Sequence, residues 1–222
     1  MGITLTRLNE GLEEIGLTKT DIDAVLFTHD HTDHISGARF FSPKIIYSLS
    51  GTLSSLTNVV ELYKPFKIKD LTITPIPTSH DATNPCGYVI EDDKDKLTYI
   101  TDTGMFLSDT LKVCFNPTYL IIECNHDISM LLKTNRPYEL KNRILSEHGH
   151  LCNEDSAYAS ISIIGDKTKD IVLAHISEEA NTPEVALSAY EKIFARVGIN
   201  TSKYNLRCAN QWKSLSGGEN ED

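Results

Sequence analysis

The chain has 222 residues, 40% of them apolar, with 21 basic against 31 acidic side chains and a formal charge of −10. That length and apolar fraction allow a real core in one large domain, while the acidic balance argues against a protein that coats nucleic-acid duplexes. Five scattered cysteines without a C-x-x-C pair, no basic-then-apolar leader and no bilayer-length apolar run exclude a disulfide framework and a membrane span, so a reduced, cytoplasmic protein with no membrane partner is expected.

In chain order, Leu5, Leu8, Leu12 and Ile15 recur at helical spacing and Gly16 is a natural stop, which predicts an amphipathic helix over 5–16. Ala24-Val25-Leu26-Phe27 reads as a buried strand. Strands are expected at 44–49, 71–76, 87–91 and 97–101, with a short helix at 50–58 and a hairpin turn at 91–95. A further apolar strand runs over 119–124. Residues 127–165 are helical in pattern, broken near Pro137 and Gly149, with Asn153 as the N-cap of a helix to about 164. A strand at 170–174 ends at His175, Thr182 and Pro183 open a helix to about 197, and 204–208 reads as a last strand. The acidic residues 217–222 read as a disordered tail, leaving 1–216 as a single domain.

The chemistry is concentrated after the first strand, in Thr28-His29-Asp30-His31-Thr32-Asp33-His34-Ile35-Ser36-Gly37. Three imidazoles and two carboxylates within six residues are hard to bury, because each needs a polar partner. A metal centre explains them. His29 and His31, two residues apart in a loop, can point to one side and share an ion, while Asp33 and His34 sit where a helix begins and can reach a second ion.

This stretch is followed in order by Pro77-Thr78-Ser79-His80-Asp81-Ala82, Gly87-Tyr88-Val89-Ile90, Thr101-Asp102-Thr103-Gly104, Glu123-Cys124-Asn125-His126-Asp127, Gly149-His150-Leu151-Cys152-Asn153-Glu154 and Ala174-His175-Ile176-Ser177-Glu178-Glu179. Together they resemble the metallo-β-lactamase-fold hydrolases over nearly the whole chain, and within them the YycJ/WalJ group of 5′ exonucleases. The resemblance implies an α/β protein with the αββα sandwich, His29, His31 and His80 on one metal, Asp33, His34 and His175 on the other, and Asp102 bridging. Relatives open with additional strands, so an N-terminally truncated sandwich is expected, with an exposed sheet edge able to form a homo-oligomer. Imidazole and carboxylate donors without thiolate suit two divalent ions, Zn2+ or Mn2+. Such a pair can hold a bridging hydroxide that attacks phosphorus, with Asp33 and Asp102 the catalytic carboxylates.

The remaining residues carry weaker signals. His126 is placed to protonate a leaving oxygen, or is a loop histidine that only caps. His150 is placed to bind a substrate phosphate beside the helix start at Asn153, although Glu154 and Asp155 oppose an anion there. His148 has no counterpart in the family. Asp30 and Asp81 orient imidazoles or satisfy loop amides. Cys124 reads as core. Lys141 and Arg143, in a run with Lys133 and Arg136, are candidate nucleic-acid contacts, the plain alternative being a solvated helix face. The leading function is a dinuclear phosphodiesterase, a 5′ exonuclease on DNA rather than RNA. The alternatives are a small-molecule hydrolase such as a cyclic-nucleotide phosphodiesterase, and a metal-containing binding protein weakened in catalysis.

Overall fold

The computed structural model describes residues 2–53 and 57–217. The chain divides into two compact units, Met1–Pro77 with Asp81–Tyr88, and Thr78–His80 with Val89–Asp222.

In the first unit, α1 (Leu5–Glu13) begins where the Thr4 hydroxyl accepts from Arg7 N, and its apolar stripe places Leu8 on a core of Phe27, Phe41 and Ile46. Burying side chains of this size contributes roughly 1.5 to 3 kcal/mol each. The strand β1 (Val25–Leu26) leads through the histidine loop into the short helix α2 (Thr32–Ile35). Parallel pairing orders β1 beside β2 (Ile46–Leu49) and β2 beside β3 (Asn58–Val60). A hairpin of β4 (Phe66–Ile68) and β5 (Leu71–Pro77) completes the unit.

Two expectations change here. The strand expected from residue 44 starts at Ile46, because Ser42 caps a 3-10 turn at Pro43–Ile45 by accepting from Lys44 N. The helix expected at 50–58 is absent among the described residues of that span: 50–52 form a turn and bend, and β3 begins at Asn58, whose amide donates to Lys44 O and Ile46 O; residues 54–56 lie outside the described residues.

The strand β6 (Cys86–Glu91) carries the chain from the first unit into the second. There follow β7 (Lys96–Ile100), α3 (Ser108–Cys114), β8 (Tyr119–Glu123), α4 (Ile128–Lys133), α5 (Tyr138–Ile144), α6 (Asn153–Ile163), β9 (Asp170–Ala174), α7 (Pro183–Arg196) and β10 (Asn205–Cys208). The turn before β7 forms as expected, with Asp92 Oδ1 accepting from the amides of Lys94 and Asp95. Strands β7, β8, β9 and β10 pair in that order, all parallel. Their alternating apolar residues, Leu120, Ile122, Ile171 and Leu173, are fully buried, as parallel sheets require.

The parallel order has a functional consequence: β7, β8 and β9 all release the chain at the same end, the end where open α/β sheets present ligand-binding side chains. Asp102 follows β7, Glu123 ends β8 and His175 follows β9.

The helix α6 is capped by Cys152, whose sulfur accepts from Asp155 N, and not by Asn153, whose amide is committed to Asn181. All five cysteines are free thiols. Among the described residues no helix is long and apolar enough to cross a membrane. Of the acidic tail expected at 217–222, residues 218–222 lie outside the described residues.

Candidate metal centre

In the first unit, the chain leaves β1 with His29 almost fully buried. The His29 ring lies 4.7 Å from that of His31 and 4.2 Å from that of His34, centroid to centroid, and its Nδ1 is 3.0 Å from Thr28 Oγ1. His31 is also the N-cap of α2, so the short helix fixes where His34 falls. Asp30 takes the loop-amide role, its Oδ1 accepting from Thr83 N at 2.9 Å. Asp33 is exposed, with Oδ2 3.6 Å from His34 Nε2.

In the second unit, Asp102 is 2% exposed and ringed by imidazoles. Its Oδ1 lies 3.7 Å from His80 Nε2, 3.5 Å from His175 Nε2 and 3.9 Å from His150 Nδ1. Asp102 and His175 have φ of +56° and +55°, a left-handed conformation that costs non-glycine residues about 1 kcal/mol each and turns their side chains off the strand direction. The opposite ring nitrogen of His80 donates to Gly149 O at 2.9 Å, which directs Nε2 toward Asp102. Gly149 is obligatory, since a Cβ there would stand 2.2 Å from Ile144 O.

The organiser of this cluster is Glu123, fully buried, to which the sequence reading assigned no role. Its Oε1 accepts from His150 Nδ1 at 2.9 Å and from His175 Nδ1 at 2.6 Å, and its Oε2 from the amides of Thr103 and Leu151, each at 3.1 Å. These four bonds fill the acceptor positions of a carboxylate. Burial alone would raise its pKa, but hydrogen bonds from His150 and His175, reinforced by their charge, hold it well below the usual carboxylate range. Behind it the Ser156 hydroxyl donates to Glu123 O and lies 2.6 Å from Tyr190 Oη, fixing the end of β8. The signal in the sequence was a lone acid closing the apolar run Tyr119-Leu120-Ile121-Ile122.

The other sequence candidates divide. His150 joins the cluster through Glu123. His126 is 1% exposed with neither ring nitrogen hydrogen-bonded, and burial lowers its pKa to about 4, so it is neutral at pH 7. His148 is bonded to Ser79 Oγ at 3.0 Å. Lys141 Nζ caps α4 by donating to Leu132 O and Thr134 O, and Arg136 pairs with Glu179, so part of the basic run is engaged internally. Arg143 lies in the last turn of α5. Cys124 is core, its thiol donating to Asn153 Oδ1.

The donors of the second unit fit a divalent cation. Gaps of 3.5 to 3.9 Å are too long for hydrogen bonds. They are close to the separation of about 3.4 Å between two donors that each bind one tetrahedral ion at about 2.1 Å. Ligand atoms of Asp102, Glu123, His150 and His175 all lie within 4.8 Å of one another; Glu123 is saturated by its four donors, and Asp102 Oδ1 and His175 Nε2 face each other across 3.5 Å.

A fold with donors at the ends of parallel strands and this carboxylate and imidazole chemistry defines a metal-dependent hydrolase. The family model described as the beta-lactamase superfamily domain matches residues 12–176, and the chain belongs to that family, with the metallo-β-lactamase fold that the motif series leads one to expect. Among curated proteins it is 32% identical to exodeoxyribonuclease YycJ of Bacillus anthracis, over 84% of this chain and 76% of that one. It is 34% identical to exodeoxyribonuclease WalJ of Streptococcus pneumoniae serotype 2 strain D39, over 83% and 75%. Among solved structures, the metallo-beta-lactamase fold protein YhfI of Bacillus subtilis matches with a TM-score of 0.62 at 17% identity, covering 86% of this chain and 76% of that one.

Proposed function

We propose that the chain is a phosphodiesterase that works as a 5′ exonuclease on DNA with two divalent ions, zinc or manganese. The observation that carries the reading is the buried Asp102 ringed by three imidazoles, two of them fixed by Glu123; the kinship with exodeoxyribonucleases supports DNA as the substrate. Asp102, His80 and His175 are the proposed metal donors of the second unit, and His29, His31 and His34 with Asp33 those of the first.

Divalent ions bound to these donors supply an activated water near neutral pH and stabilise charge on the phosphoryl oxygens. The protein's own part is orientation and proton traffic. Glu123 holds His175 by Nδ1, which leaves Nε2 directed at Asp102. It holds His150 by Nδ1 as well, at 2.9 Å. With its side chain 15% exposed at the edge of the cluster, His150 is better placed than the buried, neutral His126 to reach a leaving oxygen.

The acidic balance of the chain and the internal engagement of Lys141 and Arg136 favour, as a second reading, a small phosphodiester such as a cyclic nucleotide. One panel separates the two: metal-loaded protein incubated with 5′-phosphorylated DNA, RNA and a cyclic nucleotide. The Asp102→Ala variant is expected to lose more than about 100-fold in hydrolysis of the preferred substrate, beyond the effect of removing an outer partner of a ligand. Wild-type turnover by that variant would end the reading.

A further inference from the structure

The segment after β10 carries the sole tryptophan of the sequence. Trp212 is 57% exposed, yet its indole is anchored, with Nε1 donating to Glu178 Oε1 at 2.6 Å. Glu178 stands three residues past His175, so the two backbones are within about 10 Å, the reach of three extended residues.

The intervening loop is held firmly. Asn125 Nδ2 donates to His175 O and Ser177 N donates to Asn125 O, both at 2.9 Å, and Asp127 N donates to Ala180 O at the same distance. The next acid, Glu179, is paired with Arg136 Nε at 3.0 Å. Both carboxylates of the loop are therefore engaged by donors, and the Arg136 guanidinium offsets the charge of Glu179.

An aromatic ring of this size usually buries its apolar faces and keeps its N–H partnered. Here the N–H is partnered and more than half of the residue's surface stays in water, while the carboxylate that anchors it, Glu178, belongs to a fixed loop that begins at a proposed metal ligand. We propose that Trp212 is a stacking platform for a nucleobase of a single-stranded substrate end, a binding residue anchored to the loop that follows His175. Base stacking is tolerant of sequence, because every base has a π-face, and it adds affinity without further positive charge in a chain of net charge −10. This inference rests on the nuclease reading above.

The test compares kcat/KM for a 5′-phosphorylated thymidine oligonucleotide with that for an abasic strand of equal length, using metal-loaded wild type, Trp212→Ala and Trp212→Phe. The preference for the base-bearing strand is expected to fall about 5- to 100-fold in Trp212→Ala, mainly through KM, and to be largely restored in Trp212→Phe. Because there is one tryptophan, its fluorescence reads the contact directly: a phosphorothioate oligonucleotide should quench it saturably and the abasic strand should not. An unchanged preference in Trp212→Ala, or equal quenching by both strands, overturns the proposal. If the wild type cleaves neither strand, the nuclease reading fails, and absence of base-dependent quenching then overturns the platform independently.

Discussion

His29, His31 and His34 come from six consecutive residues and touch ring to ring, whereas His80, His150 and His175 are delivered by three segments far apart in the chain. The first group is placed by local geometry, a strand end and a short helix that starts at one of the histidines themselves. The second has no local rule to hold it together and depends on a buried acid that binds two of its rings and two backbone amides. A cluster encoded by spacing can tolerate the loss of any one neighbour. One gathered around a charge in the interior cannot lose the charge.

Removing the hub is accordingly the strongest way to break that contrast. Glu123→Ala leaves four donors facing a cavity, and is expected to cost about 3 to 5 kcal/mol in denaturant unfolding of the metal-free protein; a cost under 1 kcal/mol would mean that the second cluster, too, is held locally.

Acid sharpens the comparison within the second unit. His126 has a folded pKa of about 4 against an ordinary 6.5, because burial disfavours its charged form. The unfolded chain therefore binds more protons between those values, and stability should fall by up to about 3 kcal/mol as pH drops from 6.5 to 4. Glu123 titrates the other way round in cause: its folded pKa is depressed, so its contribution is present above the ordinary carboxylate value near 4.3 and is lost only as pH falls through the lower folded value. Stability curves for wild type and His126→Phe between pH 4 and 7 check this, the variant losing the slope in that window.

The smallest effect belongs to the first group. Thr28→Ala removes the hydroxyl beside His29 Nδ1 and is expected to cost about 1 kcal/mol, read from the same unfolding measurement. A cost approaching that of Glu123→Ala would show that this loop also hangs on one partner.

The same contrast explains what the sequence made legible. The loop histidines were readable because their spacing is itself the geometry, and the strands ending at Asp102 and His175 because apolar runs stop abruptly at polar residues. Glu123 was passed over because its meaning lies in contacts with residues 27 and 52 positions away, which no local pattern encodes. For the same reason the bond from His150 to Glu123 is not legible in the sequence, where His150 reads as a candidate phosphate contact or a structural residue. Lys141 reads from the sequence as a candidate nucleic-acid contact or part of a solvated face, and its bonds to Leu132 O and Thr134 O are not legible there because those acceptors belong to the preceding helix end. Asn153 was given the cap of α6 on residue type alone, but its amide is occupied by Asn181, and the sulfur of Cys152 takes over.

The four partners of Glu123 are all protein groups, so the folding of the second unit is enough to orient His150 and His175. Small zinc domains acquire shape and cation in one event. Here hydrogen bonds within the protein already orient two of the rings, so a divalent ion at the second cluster would meet donors set by the folding of the sheet.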